Sequence, residues 1–381
     1  MPTPSLLIVP ARFKTGKLYS QIPTSGAGDF TVTRNTEARR FDSAGLVASV
    51  ASGIPRLDYY TSGGVTGCPA LLVEPAATNL ALHSRDLTNA VWSGTNVTRA
   101  KNALGADGVA SGATTLTATA ASGTVLQALS HASQNRIFSA YVRRVTGTGA
   151  IQMTTNGGTN RDTVTISSLY TQVACVARAS TASGTVGFRM AVSGDVIEVD
   201  FTQGEVGPAF TSPIPTTAGT GSRSADLIQV TGAVSGSIGQ TQGTVYMEMQ
   251  ANAAGTGTAI LNLGGSSSDN YLYIGKDSDR MRVRVRIGGA EPFNNGATVL
   301  NGSVLKVAVA YQQSGNCAAY VNGNFLVSGT AVNNFGAALT GLGFGEQVVL
   351  PITSIGATMR IRAVALYTTR LTNDELQSLT T

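Results

Sequence analysis

Apolar and polar positions alternate in short runs along most of this chain. In "IFSAYVRRV", Phe138, Ala140 and Val142 fall on one side and Ser139, Tyr141 and Arg143 on the other. A period of two marks a half-buried strand, because successive side chains point to opposite faces. "DTVTISS", "TQVACVARA", "TVGFRMAV" and "DVIEVDFTQ" behave alike, with glycines between them. Strands at this spacing, without a helical period among them, predict a sandwich or jelly roll over residues 68–206. "GPAFTSPIPTTAGTGSRSAD", residues 207–226, interrupts the pattern with Pro, Gly and Thr and reads as a linker.

Alternation resumes over 227–381, in "GTVYMEMQA", "NYLYIGK", "RMRVRVRIGG", "VLKVAVAYQ" and "ATMRIRAVALY", and predicts a second β-sandwich. "YVNGNFLV" reads as a hairpin, since Asn322-Gly323 supplies the positive φ angles of a two-residue type I′ turn. Thr372 followed three residues later by Glu375 is a capping-box pattern, so one short C-terminal helix is expected. Residues 1–67 have little periodicity and can bury few of their own apolar groups. They read as an arm or small meander that packs on something else, or else as a small independent domain. The expected fold class is all-β: an N-terminal arm, two β-sandwich (jelly-roll) domains and one short C-terminal helix.

Composition narrows the function. Hydrophobic residues make up 42% and charged residues 12%, with 45 glycines, which suits a turn-rich β protein rather than a disordered one. The formal net charge of +5 is not focused in any Lys/Arg block, so nucleic acid is not an expected partner. Cys68, Cys175 and Cys317 form no C-x-x-C pair and read as free thiols in a reducing cytoplasm. The opening apolar run, Leu6 to Val9, is closed by Pro10 and is too short for a signal-peptide core. No run approaches the length of a membrane span, so membrane insertion is not expected. Work outside a cell would then require release by lysis or within a particle.

Candidate chemistry is sparse. Glu198 and Asp200 in "EVDFTQGE" share a strand face, and this beginning resembles the laminarinase-type glucanase motif. Where the second carboxylate should follow stand Thr202 and Gln203, and Glu205 comes later in a bend. Retaining hydrolysis needs two carboxyl groups across the sugar, one of them a proton donor, so no enzyme is expected. His83 and His131 have no triad or metal-ligand context, and His131 reads as a solvated turn residue. No cofactor is expected. Asp269, Asp277 and Asp279 could offer oxygen ligands to calcium, although both stretches also read as ordinary turns.

"RMRVRVRI" is the most informative charge pattern. Arg280, Arg282, Arg284 and Arg286 share one strand face, and Met281, Val283, Val285 and Ile287 form the core face. Four like charges about 6.6 to 7 Å apart repel unless something answers them. The face is a wet surface, a contact to carboxylates of a neighbouring subunit, or a site for an anionic surface glycan; arginine's planar fork suits carboxylate and sulfate.

"RFDSAGLV", "IPRLDYY" and "CPALLVEPAATNLALHSRDLTNAVW" resemble the front part of tailed-bacteriophage virion surface proteins of the tail-fibre or head-fibre type. "FSAYVRRVTGTG", "SGDVIEVDFTQGEVG" and "AFTSPIPTT" resemble the carbohydrate-binding-module-like jelly roll that follows in them. "VAVAYQQSGNCAAYVNGNFLVSG" with "IRAVALYTTRLTNDELQSL" resembles a concanavalin A-like (laminin-G-like) domain. The resemblance implies a non-enzymatic virion protein, assembled in the bacterial host cytoplasm. It would join other virion proteins through the 1–67 arm, form a homotrimer and touch host surface glycan. It also makes Glu74, Thr78 and Asn79 turn-forming groups at the start of the jelly roll and Trp92 a wall of the sandwich. A free or cell-surface lectin or adhesin is the alternative, and a glycoside hydrolase a third.

Overall fold

The computed structural model describes the chain apart from residues 1, 60, 63–64, 159, 181–183, 255–257, 278–279, 299–301 and 346–348. The regular secondary structure of its described residues is almost wholly strand, with one short α-helix at the C-terminus, as the alternation predicted. None of its described helices is long and apolar enough to cross a membrane. The chain divides into two compact units. The first holds Met1–Arg40, Val50–Ala76 and Ser224–Thr381; the second holds Phe41–Ser49 and Ala77–Arg223.

The first unit contains two large antiparallel sheets. One runs in the order Asn324–Thr330, Asn316–Val321, Val304–Gln312, Gln242–Ala254, Ala357–Tyr367, Ala70–Val73 and Arg56–Asp58, with Leu6–Ile8 also paired to Ala357–Tyr367. The other runs Phe13–Lys14, Lys17–Leu18, Phe30–Thr33, Leu227–Thr231, Gly341–Phe344, Thr258–Gly264, Tyr271–Asp277, Arg280–Ile287 and Ala290–Thr298. Their inward positions form one core, to which Met247, Val307 and Ile361 come from the first sheet and Leu272, Val283 and Leu342 from the second.

The domain boundaries therefore differ from those expected. Residues 1–67 are not a separate arm: Leu6 faces Leu366, Leu7 faces Ala365, and Val32 faces Ile228 in register. Leu6, Ile8, Leu18, Phe30, Leu71 and Val73 have no exposed surface. Phe30 stacks on Phe344 with ring centroids 5.4 Å apart. The physical reason is that each short apolar run of the segment is a half-strand, which finds its hydrogen bonds and its apolar partners on C-terminal strands far away in sequence.

The second unit is a sandwich of a five-stranded and a six-stranded sheet. The six-stranded one runs Val97–Ala103, Ala113–Ala118, Val196–Val206, Gln134–Thr146 and Thr171–Ala174, with Arg178–Ser180 also on Gln134–Thr146. Phe138, Ala140 and Val142 lie in the core with Phe188, Met153 and Trp92, on the side that alternation assigned to them. Residues 207–223, expected as a linker, are sewn onto this unit instead. Glu205 accepts the amide (2.9 Å) and hydroxyl (2.6 Å) of Thr211, Gln203 accepts the amide of Ile214 at 2.7 Å, and Arg223 donates to the hydroxyl and carbonyl of Ser212. Its Ser and Thr residues hydrogen-bond like turn residues, but their partners are buried.

Local signals behaved as read. Asn322 and Gly323 have φ of 47° and 75° at the Asn316–Val321 to Asn324–Thr330 turn. Thr372 caps the Asn373–Thr380 helix in a reciprocal box with Glu375, and Leu376 is fully buried. All three cysteines are free.

Candidate functional site

The stretch from Glu74 to Trp92 spans the step of the chain from the first unit to the second, at residues 76 and 77. Its polar groups are held by their own unit. Glu74 accepts from Arg56 at 2.7 Å. Asn79 donates to the carbonyls of Thr202 and Ile214, each at 2.9 Å, and accepts the amides of Ala81 and Gly204, each at 3.0 Å, so its amide is saturated. Thr78 meets the Ser222 hydroxyl at 2.9 Å. Trp92 is fully buried and donates its indole N–H to the Leu82 carbonyl at 3.1 Å.

Sequence reasoning missed the buried network that Glu74 joins. Arg34 donates to Asp226 at 2.9 Å and to the carbonyls of Thr36, Ile54 and Ala51. Arg56 bridges Glu74 and Asp226, and Asp226 also accepts the Glu74 amide at 3.0 Å. Burial alone would lower the Arg56 pKa; the charges of Asp226 and Glu74 outweigh it and hold the guanidinium protonated. Arg34 and Asp226 lie 192 positions apart in the chain, so no local signal could have joined them.

The hydrolase candidates sit on the outer face of the six-stranded sheet, and Glu198 and Asp200 are each answered by an arginine. Glu198 pairs with Arg143, whose guanidinium lies 4.8 Å from the ring centre of Tyr170. Asp200 is fully buried and takes Arg85 in a two-point contact of 2.8 and 2.9 Å, together with the amides of Ala106 and Phe201. Phe201 has φ of 46°, where the register between Val196–Val206 and Gln134–Thr146 slips. That bulge turns the phenyl ring under Arg85, 4.1 Å from the guanidinium. Glu205 is buried among the Thr211 groups, and burial pushes its pKa up. These carboxylates tie strands and loops together. His131 is exposed beside Gln134, and His83 lies in a turn with φ of 47°.

The arginine face lies on the second sheet of the first unit. Along Arg280–Ile287 the apolar residues Met281, Val283, Val285 and Ile287 are buried, and the four arginines point outward. Arg284 faces Tyr273 on one neighbouring strand and Asn294 on the other; Arg286 faces Tyr271. Tyr271 and Tyr273 are nearly covered, and the Arg284 guanidinium lies 5.5 Å from the Tyr271 ring centre. Arg284 donates to Glu291 through Nε at 3.0 Å; Arg286 approaches Glu291 at 3.6 Å and Asp269 at 3.2 Å. The Glu291 hydrogen bond raises the Arg284 pKa. Arg280 reaches only the Gly296 carbonyl, at 3.5 Å, among the described contacts, and Arg282 lies between Gly275 and Gly296 in register.

Among the described contacts, Arg284 and Arg286 thus find carboxylates in their own chain. Glu291 was legible in principle, since it follows the Gly288-Gly289 turn and falls back beside Arg286. Of the calcium candidates, Asp269 is committed to Arg286. Asp279 and the side chain of Asp277 lie outside the described residues. Among the described residues, no group of three metal-ligating side chains occurs.

No family model matches the chain, and no curated protein does. Solved structures similar to parts of it include the sialidase CBM40 module of Ruminococcus gnavus bound to α2,3-sialyllactose, at 13% identity and a TM-score of 0.32, over 37% of this chain and 84% of that one. A leech intramolecular trans-sialidase is similar at 15% identity and 0.31, over 37% of this chain and 23% of that one. The binding domain of botulinum neurotoxin DC, in complex with rat synaptotagmin II, is similar at 12% identity and 0.33, over 41% of this chain and 40% of that one. Similarity at this level carries neither ligand nor activity across.

Proposed function

We propose that this chain is a non-enzymatic structural protein of a bacteriophage virion, a fibre or surface-decoration component that attaches to glycans of the host surface. The observation that carries the binding half of the reading is a contrast between two sheet faces. On the six-stranded sheet the carboxylates a hydrolase would need are locked on Arg85 and Arg143. On the arginine face, polar groups of two adjacent strands and a turn stand at the surface, and the side chains of Arg284 and Arg286 are each 30% exposed. Such a face can bind, and among the described residues its carboxylates, Asp269 and Glu291, are each paired with arginine.

The virion half rests on the residues of the front region that resemble phage surface proteins. We expect a homotrimer, assembled in the bacterial host cytoplasm. Contact with other virion proteins falls to the surface of the N-terminal segment, where Val9 and Phe13 are each 41% exposed.

Two measurements test the reading. Mass spectrometry of purified phage particles should find the chain in stoichiometric amount, and the purified protein should compete with particles for adsorption to host cells. Absence from particles with glycan binding intact would turn the reading to a free lectin or adhesin. Failure to compete would remove the attachment role.

A further inference from the structure

Asp269, Arg286, Glu291 and Arg284 form a line in which charge alternates. The separations are 3.2 Å from Asp269 to Arg286, 3.6 Å from Arg286 to Glu291 and 3.0 Å from Glu291 to Arg284. The line crosses two neighbouring strands of one hairpin and the turn that precedes Tyr271–Asp277, and each of the three is anchored. Val285 and Ile287 fix Arg280–Ile287 in the core, Phe293 fixes Ala290–Thr298, and the Asp269 carbonyl accepts the Gly289 amide at 3.0 Å. Tyr271, covered beneath the guanidiniums, supports them. The array is therefore held in place before any ligand arrives, which reduces the ordering cost of binding.

From this we infer that the Asp269–Arg286–Glu291–Arg284 line is a recognition site for an uncharged sugar bearing a pair of neighbouring hydroxyls. The inference rests on the reading of the chain as a glycan-attachment protein and names the ligand class. A sugar hydroxyl both donates and accepts, so two adjacent hydroxyls can bridge a guanidinium and the carboxylate beside it. Each guanidinium keeps N–H groups outside its ion pair, and each carboxylate keeps lone pairs. An anionic sugar fares worse here. The four groups sum to no net charge, and a sulfate or carboxylate drawn to Arg284 or Arg286 comes within a few ångströms of Glu291 or Asp269.

The test measures retention of the purified full chain on matched polysaccharides: dextran, mannan and galactan as uncharged ligands, dextran sulfate, polygalacturonate and polysialic acid as anionic ones. Each runs at low and high salt, with Glu291→Gln and Asp269→Asn beside the wild type. Asp269 lies in an exposed turn, and its variant keeps the assay readable if Glu291→Gln folds poorly. The expected result is wild-type binding to at least one uncharged polysaccharide, changed less than about twofold by salt. Affinity should fall about tenfold in either variant, and Glu291→Gln should gain salt-sensitive retention on the anionic ligands, because it takes the carboxylate from Arg284 and leaves Arg286 only Asp269. Wild-type binding confined to anionic ligands and weakened by salt overturns the inference and leaves glycan attachment standing. Uncharged-ligand binding untouched by both variants overturns the site. Retention on nothing overturns both the inference and the attachment reading.

Discussion

At Arg56 a guanidinium without exposed surface meets two carboxylates, Glu74 and Asp226, from sequence regions that no local pattern connects. Removing one member of such a group leaves the others buried and uncompensated. Arg56→Met should therefore lower the stability of the first unit by about 3 to 5 kcal/mol, seen as a fall in the urea midpoint; an unchanged midpoint would show the network is not closed as described. Glu205 gives a prediction with a pH sign. Burial raises its folded pKa above the ordinary value of 4.5, so the folded state holds the proton more tightly than the unfolded chain does. Stability from this group is complete below that value and is lost as pH rises through the folded pKa. Glu205→Gln should thus gain on the wild type at neutral pH, with the gain shrinking toward pH 4. A gain that grows on acidification would reverse the assignment.

Elements were legible where a local period carried them. Arg280–Ile287 was readable residue by residue, because one face had to be core and a two-residue period leaves no other choice of side. The same holds for Phe138, Ala140 and Val142, for the Asn322-Gly323 turn and for the Thr372 cap. The bulge at Phe201 was not legible: a positive φ at phenylalanine has no sequence mark, and it is set by the Asp200 and Arg85 contacts around it. The partners of the arginine face were half legible, since the alternation exposes the arginines but does not say which carboxylates return to them. The face assignment has a direct check. Met281→Ala, on the buried side, should cost about 2 to 5 kcal/mol, whereas Arg280→Ser, on the exposed side, should stay within about 0.5 kcal/mol in thermal unfolding. Equal costs would mean the strand faces are exchanged.

Across the whole molecule, the least legible feature was the discontinuity of the first unit. Residues 1–67 lack periodicity because they are short half-strands, and their pairing with Ala357–Tyr367 and Leu227–Thr231 is written in no local stretch. Leu6, Ile8, Leu18, Phe30 and Val32 are buried by that pairing, and burying each contributes roughly 1.5 to 3 kcal/mol. The sum is comparable with the whole stability of an ordinary domain, about 5 to 15 kcal/mol. A chain lacking residues 1–40, which leaves Phe41–Ser49 to the second unit, should therefore keep the second unit and lose the first, read by limited proteolysis; protection of both units would restore the separate arm. The claim that this protein holds glycans without cutting them is tested most directly by incubating it with host-surface polysaccharide and measuring two things together, retention of the polysaccharide and release of new reducing ends. The expected result is retention with no release, identical in the wild type and in Glu198→Gln. Release by the wild type that Glu198→Gln abolishes would contradict it.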